Sequence, residues 1–463
     1  MTKFATFTSE VRVSALLCCS AAVLLAACGG VAEAASAQQD QTATISYNST
    51  ASEPHAFIVA LPADTATTPS TTDAVSAVQA AEPAPAVSET EVAAAALADS
   101  ATRLVASSTA DAAVTPSTYN LYVATTGSDS NPGTQAKPFK TIQRGANMAK
   151  ASTTVHVAPG TYRENVSTKV HGTATARIRY VSDTKWGAKV IGSGTEGMWT
   201  NNGNYTDIVG FDISGSGRLG ILNYASYTLV QGNNIHNLTI SGGCTGSGGA
   251  GVVNANYSAS DGDIIGNVVH DIGVPGKCNG VQGIYSSNLR GKIFNNIVYR
   301  ASAYGIHLWH AASNVTIANN TVFGNGGGSM GGGIVTGVGD SPGGKILTNT
   351  KVINNIVYKN ASWGIKQYCY SGVSCIGSGN VVANNLVYGN GAAISMKVGS
   401  ATGTINADPQ FVNFQANGTG DYRLKSTSPA VNKGTATSAP TTDINGVARP
   451  RGAALDIGAY ENY

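Results

Sequence analysis

Short bursts of alternating apolar and polar residues recur along the second half of this 463-residue chain. One phrase is an asparagine, any residue, Val or Ile, then His, Tyr or Phe. It appears as GNNIHN at 232–237, GNVVHD at 266–271 and NNIVYR at 295–300. It returns as NNTVFGN at 319–325, NNIVYKN at 354–360 and NNLVYGN at 384–390. Aligned on Asn233, Asn267, Asn296, Asn320, Asn355 and Asn385, the steps are 34, 29, 24, 35 and 30 residues. GFDIS at 210–214 resembles an earlier, degenerate copy, and a second phrase follows each of the seven: LGILNY, AGVVNA, QGIYSS, YGIHLW, GGIVTG, WGIKQY and AAISMK. Period-2 alternation marks strands, and repeats of this length with little helix mark a solenoid. A variable step predicts an all-β parallel β-helix whose coils carry loops of different length. The asparagines are expected to form a ladder at a bend. The His/Tyr/Phe position (His236, His270, Tyr299, Phe323, Tyr358, Tyr388) is expected to form an aromatic stack, so His236 and His270 are not read as catalysts.

Composition agrees: 56 glycines and only 12% charged residues suit a turn-rich β protein. The first 28 residues do not belong to the fold. Lys3 and Arg12 precede the apolar run Val13 to Leu25, and LAAC ends at Cys28. This resembles a bacterial lipoprotein signal, which implies lipidation of Cys28; an ordinary secretory signal cleaved nearby is the alternative. Either way the chain is expected to be exported, as an outer-membrane or periplasmic lipoprotein or to the cell surface or medium. Residues 29–118 hold ten acidic residues and one basic residue, Arg103, in an Ala/Ser/Thr/Pro-rich stretch. That composition predicts a disordered linker. Residues 119–463 carry 25 Lys and Arg against 15 Asp and Glu. A basic domain outside the cell points to an anionic polysaccharide as partner, not nucleic acid. Membrane contact is expected only through a lipid anchor, and a monomer is expected.

The stretch YNLYVATTGSDSNPGTQAKPFKTIQRGANMAKASTTVHVAPGTYREN, within 119–166, resembles the opening module of secreted right-handed parallel β-helix proteins, the family 9 pectate lyases among them. FKTIQRGANMAKA is amphipathic and suits an N-terminal capping helix. DPQFVN, DYRLKSTSPAVNKG, TDINGVARPRG and DIGAYE, within 405–463, resemble the closing coils of such proteins. Asp443, Asp456 and Glu461 there are read as structural. The resemblance implies a right-handed parallel β-helix over 119–463 and a polysaccharide groove along one sheet. It says less about chemistry, because one fold hosts lyases, hydrolases, epimerases and adhesins.

The Gly-Ile strands are the candidate groove sheet. With Ile/Val inward, the first outward column reads Leu222, Val253, Tyr285, His307, Val335, Lys366, Ser395. The second reads Tyr224, Ala255, Ser287, Trp309, Gly337, Tyr368, Lys397. Coils about 4.8 Å apart place Tyr285 beside His307 and put roughly 10 Å between His307 and Lys366. Val335 and Gly337 would be a small floor between them, with room for a sugar ring. His310 would start the next turn. Four cysteines remain after the signal, an even number that suits two disulfides in an exported domain. Cys244 and Cys278 precede strands of adjacent coils and should meet; Cys369 and Cys375 should close a short loop.

Absences narrow the chemistry. From 280 to 400 the sole acidic residue is Asp340. Glycoside hydrolysis needs two carboxylates about 5–9.5 Å apart, which this strip does not supply unless Asp261, Asp263 or Asp271 bends in from an adjacent loop. Calcium, implied by the pectate lyase resemblance along with a lysine base, needs several oxygen ligands. Asp261, Asp263 and Asp340 are weak candidates, and Lys366 matches the lysine. A uronate lyase fits what remains, because β-elimination needs a base, a cation for the carboxylate and an acid for the leaving oxygen. Lys366 or His307 is the expected base, Lys366 being also a candidate neutraliser, and Tyr285 or Tyr368 the acid. Trp309, Lys397, Arg290 and His310 are the expected substrate contacts. A hydrolase, a C5-epimerase and a non-catalytic polysaccharide-binding adhesin are the alternatives.

Overall fold

The computed structural model describes residues 119–240, 248–310, 312–327, 331–339, 345–369 and 374–462. The signal with Cys28, the linker, Cys244 and Asp340 lie outside them. Among the described residues no helix is long and apolar enough to cross a membrane. Parallel strands dominate, in one ten-stranded and one sixteen-stranded sheet. Each coil contributes a strand to the first sheet, turns, contributes a second strand, bends, and contributes a Gly-Ile strand to the candidate strip. Tyr119–Val123 already pairs with Thr153–Val157, so the coil begins at the first described residue. The result is the expected right-handed parallel β-helix, the hand that strand–crossover–strand connections take.

Both turns of the coil are legible in side-chain chemistry. At the first, a residue with φ between 53° and 65° precedes each ladder asparagine: Gly232, Gly266, Asn295, Asn319, Asn354 and Asn384. Gly and Asn tolerate this left-handed backbone best, which is why the phrase opens with GN or NN. The next asparagine turns inward and stacks. Asn233, Asn267, Asn296, Asn320 and Asn355 each donate through Nδ2 to Oδ1 of the following coil's asparagine at 2.9–3.0 Å. A second ladder, Asn325–Asn360–Asn390, repeats the device at the next bend. A third, Asn201–Asn223–Asn254, closes the early strip strands.

The bend into the strip requires glycine. A Cβ on Gly251, Gly283, Gly305, Gly333 or Gly364 would collide with a valine Cγ1 on the second strand of the next coil. The following Ile221, Val252, Ile284, Ile306, Ile334 and Ile365 form a fully buried inner column. Each such side chain contributes about 1.5–3 kcal/mol.

The first end and one outer face are covered. The helix Ile142–Met148 buries Ile142, Gly145 and Ala146 against the first coils. Thr141 accepts from the Arg144 amide, and the Glu164 carboxylate accepts from the Ile142 and Gln143 amides at 2.9 Å each. A carboxylate is the expected partner for a helix N-terminus. The C-terminal segment lays Phe411, Tyr422, Leu424, Ile457 and Ala459 over Ile297, Tyr299, Phe323, Ile356 and Tyr358. Asp443 accepts from the Asn445, Val447 and Glu461 amides, and Glu461 binds Arg449 at 2.7 Å. These acids are structural, as read from the sequence.

Candidate functional site

The register of the strip is the expected one. Leu222 pairs with Val253, Val253 with Tyr285, Tyr285 with His307, His307 with Val335, Val335 with Lys366, and Lys366 with Ser395. Gly337 pairs with Tyr368 in the second column. What the alternation does not reveal is how the outward side chains lie.

Most of them lie flat and pack on one another. Leu219, Leu222, Ala250, Val253, Ala255, Tyr285, Ala303, Tyr304, Trp309, Val335 and Tyr368 form a second apolar cluster outside the coil. His307 is fully buried among three rings, with centroids 5.4 Å from Tyr285, 5.2 Å from Tyr304 and 5.0 Å from Trp309. Neither of its ring nitrogens has a hydrogen-bond partner among the described residues. Burial, with a smaller contribution from His310, pushes its pKa down to about 3, so the imidazole is neutral at any working pH.

Trp309 departs most from expectation. The ring does not stand up to meet a sugar. It crosses the next coil and stacks on Tyr368 two coils away, at 5.5 Å and 12°. Gly337 and Gly339 admit it, because a Cβ on either would strike the indole. The room foreseen above Val335 and Gly337 is therefore filled by the protein's own tryptophan. His310 takes φ 57° at the turn, as expected, and packs against Tyr257 at 4.4 Å.

Beyond Trp309 the strip opens. Lys366 is half-buried, and its Nζ lies 5.0 Å from the Trp363 ring and 4.9 Å from the Tyr368 ring. On the last coil Ser395 is half-buried and Lys397 exposed. The Lys397 and Val398 amides both donate to Gln367 Oε1, which anchors this corner. Cys369 and Cys375 form the expected disulfide, next in sequence to Tyr368.

The predicted cast is thus divided. Lys366 and Lys397 share the open end, Tyr368 is buried at its edge under the Trp309 ring, and Tyr285 and His307 sit behind Trp309. Arg290 is elsewhere: its guanidinium binds Asp261 at 2.9 Å and Ser260 at 2.8 Å. Asp261 is buried in that pair, and Asp263 accepts from the Lys292 amide. Among the described residues no group of three or more His, Cys, Asp or Glu side chains is placed to hold a metal ion. The calcium site implied by the pectate lyase resemblance does not fit Asp261 and Asp263. The pairing of Cys278 with Cys244 and the place of Asp340 fall outside the described residues.

Comparison with known proteins gives three kinds of likeness. A stretch of 53 residues is 47% identical to "Uncharacterized protein YwoF" of Bacillus subtilis (strain 168), 11% of the length of each chain. Among solved structures, pectate lyase Pel9A is 17% identical, covers 75% of this chain and 97% of its own, and has a TM-score of 0.49. A rhamnogalacturonan lyase is 15% identical over 65% of this chain and 92% of its own, at 0.42. The Azotobacter vinelandii mannuronan C-5 epimerase AlgE4 A-module is 15% identical over 54% and 68%, at 0.38. None of them lends this chain a residue role. A family model matches residues 125–410, nearly all of the coils, and the chain belongs to that family, described as "Protein of unknown function (DUF1565)".

Proposed function

We propose that the protein is a polysaccharide lyase that cleaves a uronate-containing polysaccharide, such as a bacterial exopolysaccharide, by β-elimination at the open end of the strip. The observation that carries this reading is Lys366, half-exposed between the Trp363 and Tyr368 rings on a strip that holds no carboxylate among its described outward residues. A lysine can take the C5 proton of a uronate. Electrons then move into the carboxylate, the C4–oxygen bond breaks, and the leaving oxygen takes a proton. Lys366 is assigned the base, Lys397 the partner of the uronate carboxylate, and Tyr368 the proton donor. His307 and Tyr285 hold the wall behind them. The scarcity of carboxylates disfavours a hydrolase. The chain acts after export, with Cys28 as its lipid anchor.

The test is ultraviolet absorbance of unsaturated uronate products. The purified protein is mixed with a panel of uronate polymers, with and without a chelator. Rising absorbance supports the lyase. New reducing ends without absorbance would mark a hydrolase, and binding without either would mark an adhesin.

A further inference from the structure

The lyase reading leaves open where on a long polymer the protein acts, and the geometry of the strip bears on that. In the first outward column Leu222, Val253, Tyr285, His307 and Val335 are fully buried on five successive coils, while Thr200 and Ser167, which pair in register ahead of Leu222, are half-buried. Exposure returns at Lys366 and increases to Lys397. The step between the two regimes is the Trp309 ring, laid across the fifth coil onto Tyr368. Trp363 and Tyr368 also flank the Lys366 ammonium, one ring in each direction along its strand. The remaining direction is along the axis toward Ala392–Ser395, the last strand of the sheet. Beyond it Lys397 and Val398 are exposed, Val398 at 50%.

Resting on the lyase reading, we propose that the strip is blind at Trp309 and open at the C-terminal end of the β-helix, so that the protein seats the end of an acidic chain and releases short fragments from chain ends. Two coils span about 10 Å, room for about two sugar units. Both lysines of the strip lie within that span, so charge recognition is concentrated on the terminal units.

Two readouts on the intact protein test this. The first is affinity for oligogalacturonates and oligomannuronates of increasing length, by calorimetry. Affinity is expected to level off after the disaccharide, and Lys397→Ala is expected to weaken every length by about tenfold. A wild-type affinity that keeps rising to the hexasaccharide would overturn the blind strip. The second is product size against viscosity. Short unsaturated products from the first turnovers, with viscosity falling slowly, are expected; an early ladder of long products with a sharp viscosity drop would overturn the proposal. A length plateau with no unsaturated product would sink the lyase chemistry and leave the blind strip supported. No binding of any oligosaccharide would sink both. Trp309→Ala, checked for folding by circular dichroism, is expected to restore the gain with length.

Discussion

At the scale of single residues, Trp309 and the glycines beneath it decide what the strip can be. The sequence places Trp309 on the outward face, and period-2 alternation is sufficient for that. It does not place the ring flat across the next coil, because that depends on Gly337, read only as part of the groove floor, and on Gly339, both one repeat later. Gly339→Ala is expected to displace the indole and cost about 1–3 kcal/mol, measured by denaturant melts, with altered tryptophan fluorescence; an unchanged spectrum and stability would contradict the contact. His307 provides a second check. Its folded pKa of about 3 lies below the unfolded value of about 6.5. Between those values the unfolded chain binds the extra proton, so this residue removes stability as pH falls from about 6.5 toward 3. His307→Leu also removes two unpartnered buried nitrogens, and is expected to lose less stability than the wild type between pH 7 and pH 4.5. Parallel losses in both proteins would show that the imidazole is not held neutral.

At the scale of the repeat, the chain states its fold openly. The Asn233–Asn385 column, the His236–His270–Tyr299–Phe323 stack, with rings 4.7–5.0 Å apart, and the Ile/Val core were all readable from the phrase, because each coil repeats one geometry and each role falls at one offset. The second ladder, Asn325–Asn360–Asn390, was present in the quoted phrases as GN and KN but stands at only three coils, too few for the pattern to announce itself. The position before the first ladder separates backbone from side-chain demands. Asn384 has φ 53° and makes one side-chain hydrogen bond, to the Lys433 carbonyl at 3.3 Å. Asn384→Gly is expected to stay within about 0.5 kcal/mol of the wild type. Asn384→Val is expected to cost about 1–2 kcal/mol or more, because a β-branched residue resists the left-handed region. Thermal melts of the pair decide it, and equal costs would mean that the backbone conformation is not what the sequence selects there.

At the scale of the whole molecule, a solenoid is stabilised coil by coil, and its ends and outer faces need covers of their own. The helix Ile142–Met148 closes the first end, and the segment from Phe411 to Ala459 covers one outer face. The strip is the face where this chain departs most from its own repeat. Five successive coils bury their outward Leu222, Val253, Tyr285, His307 and Val335, and the last two present lysine. The candidate chemistry was therefore legible as a list of residues and not as a site. Alternation assigned Tyr285, His307, Lys366 and Tyr368 to one face, but the packing of outward side chains on one another and the Trp309 ring decide which of them meet solvent. The central claim is that Lys366 is a base at the open end of that face. It is tested most directly by comparing wild type and Lys366→Ala, matched in thermal stability, for release of unsaturated uronate from a polymer the wild type cleaves. The variant is expected to lose at least about a hundredfold in rate. A variant that keeps its rate would place the base elsewhere and contradict the account.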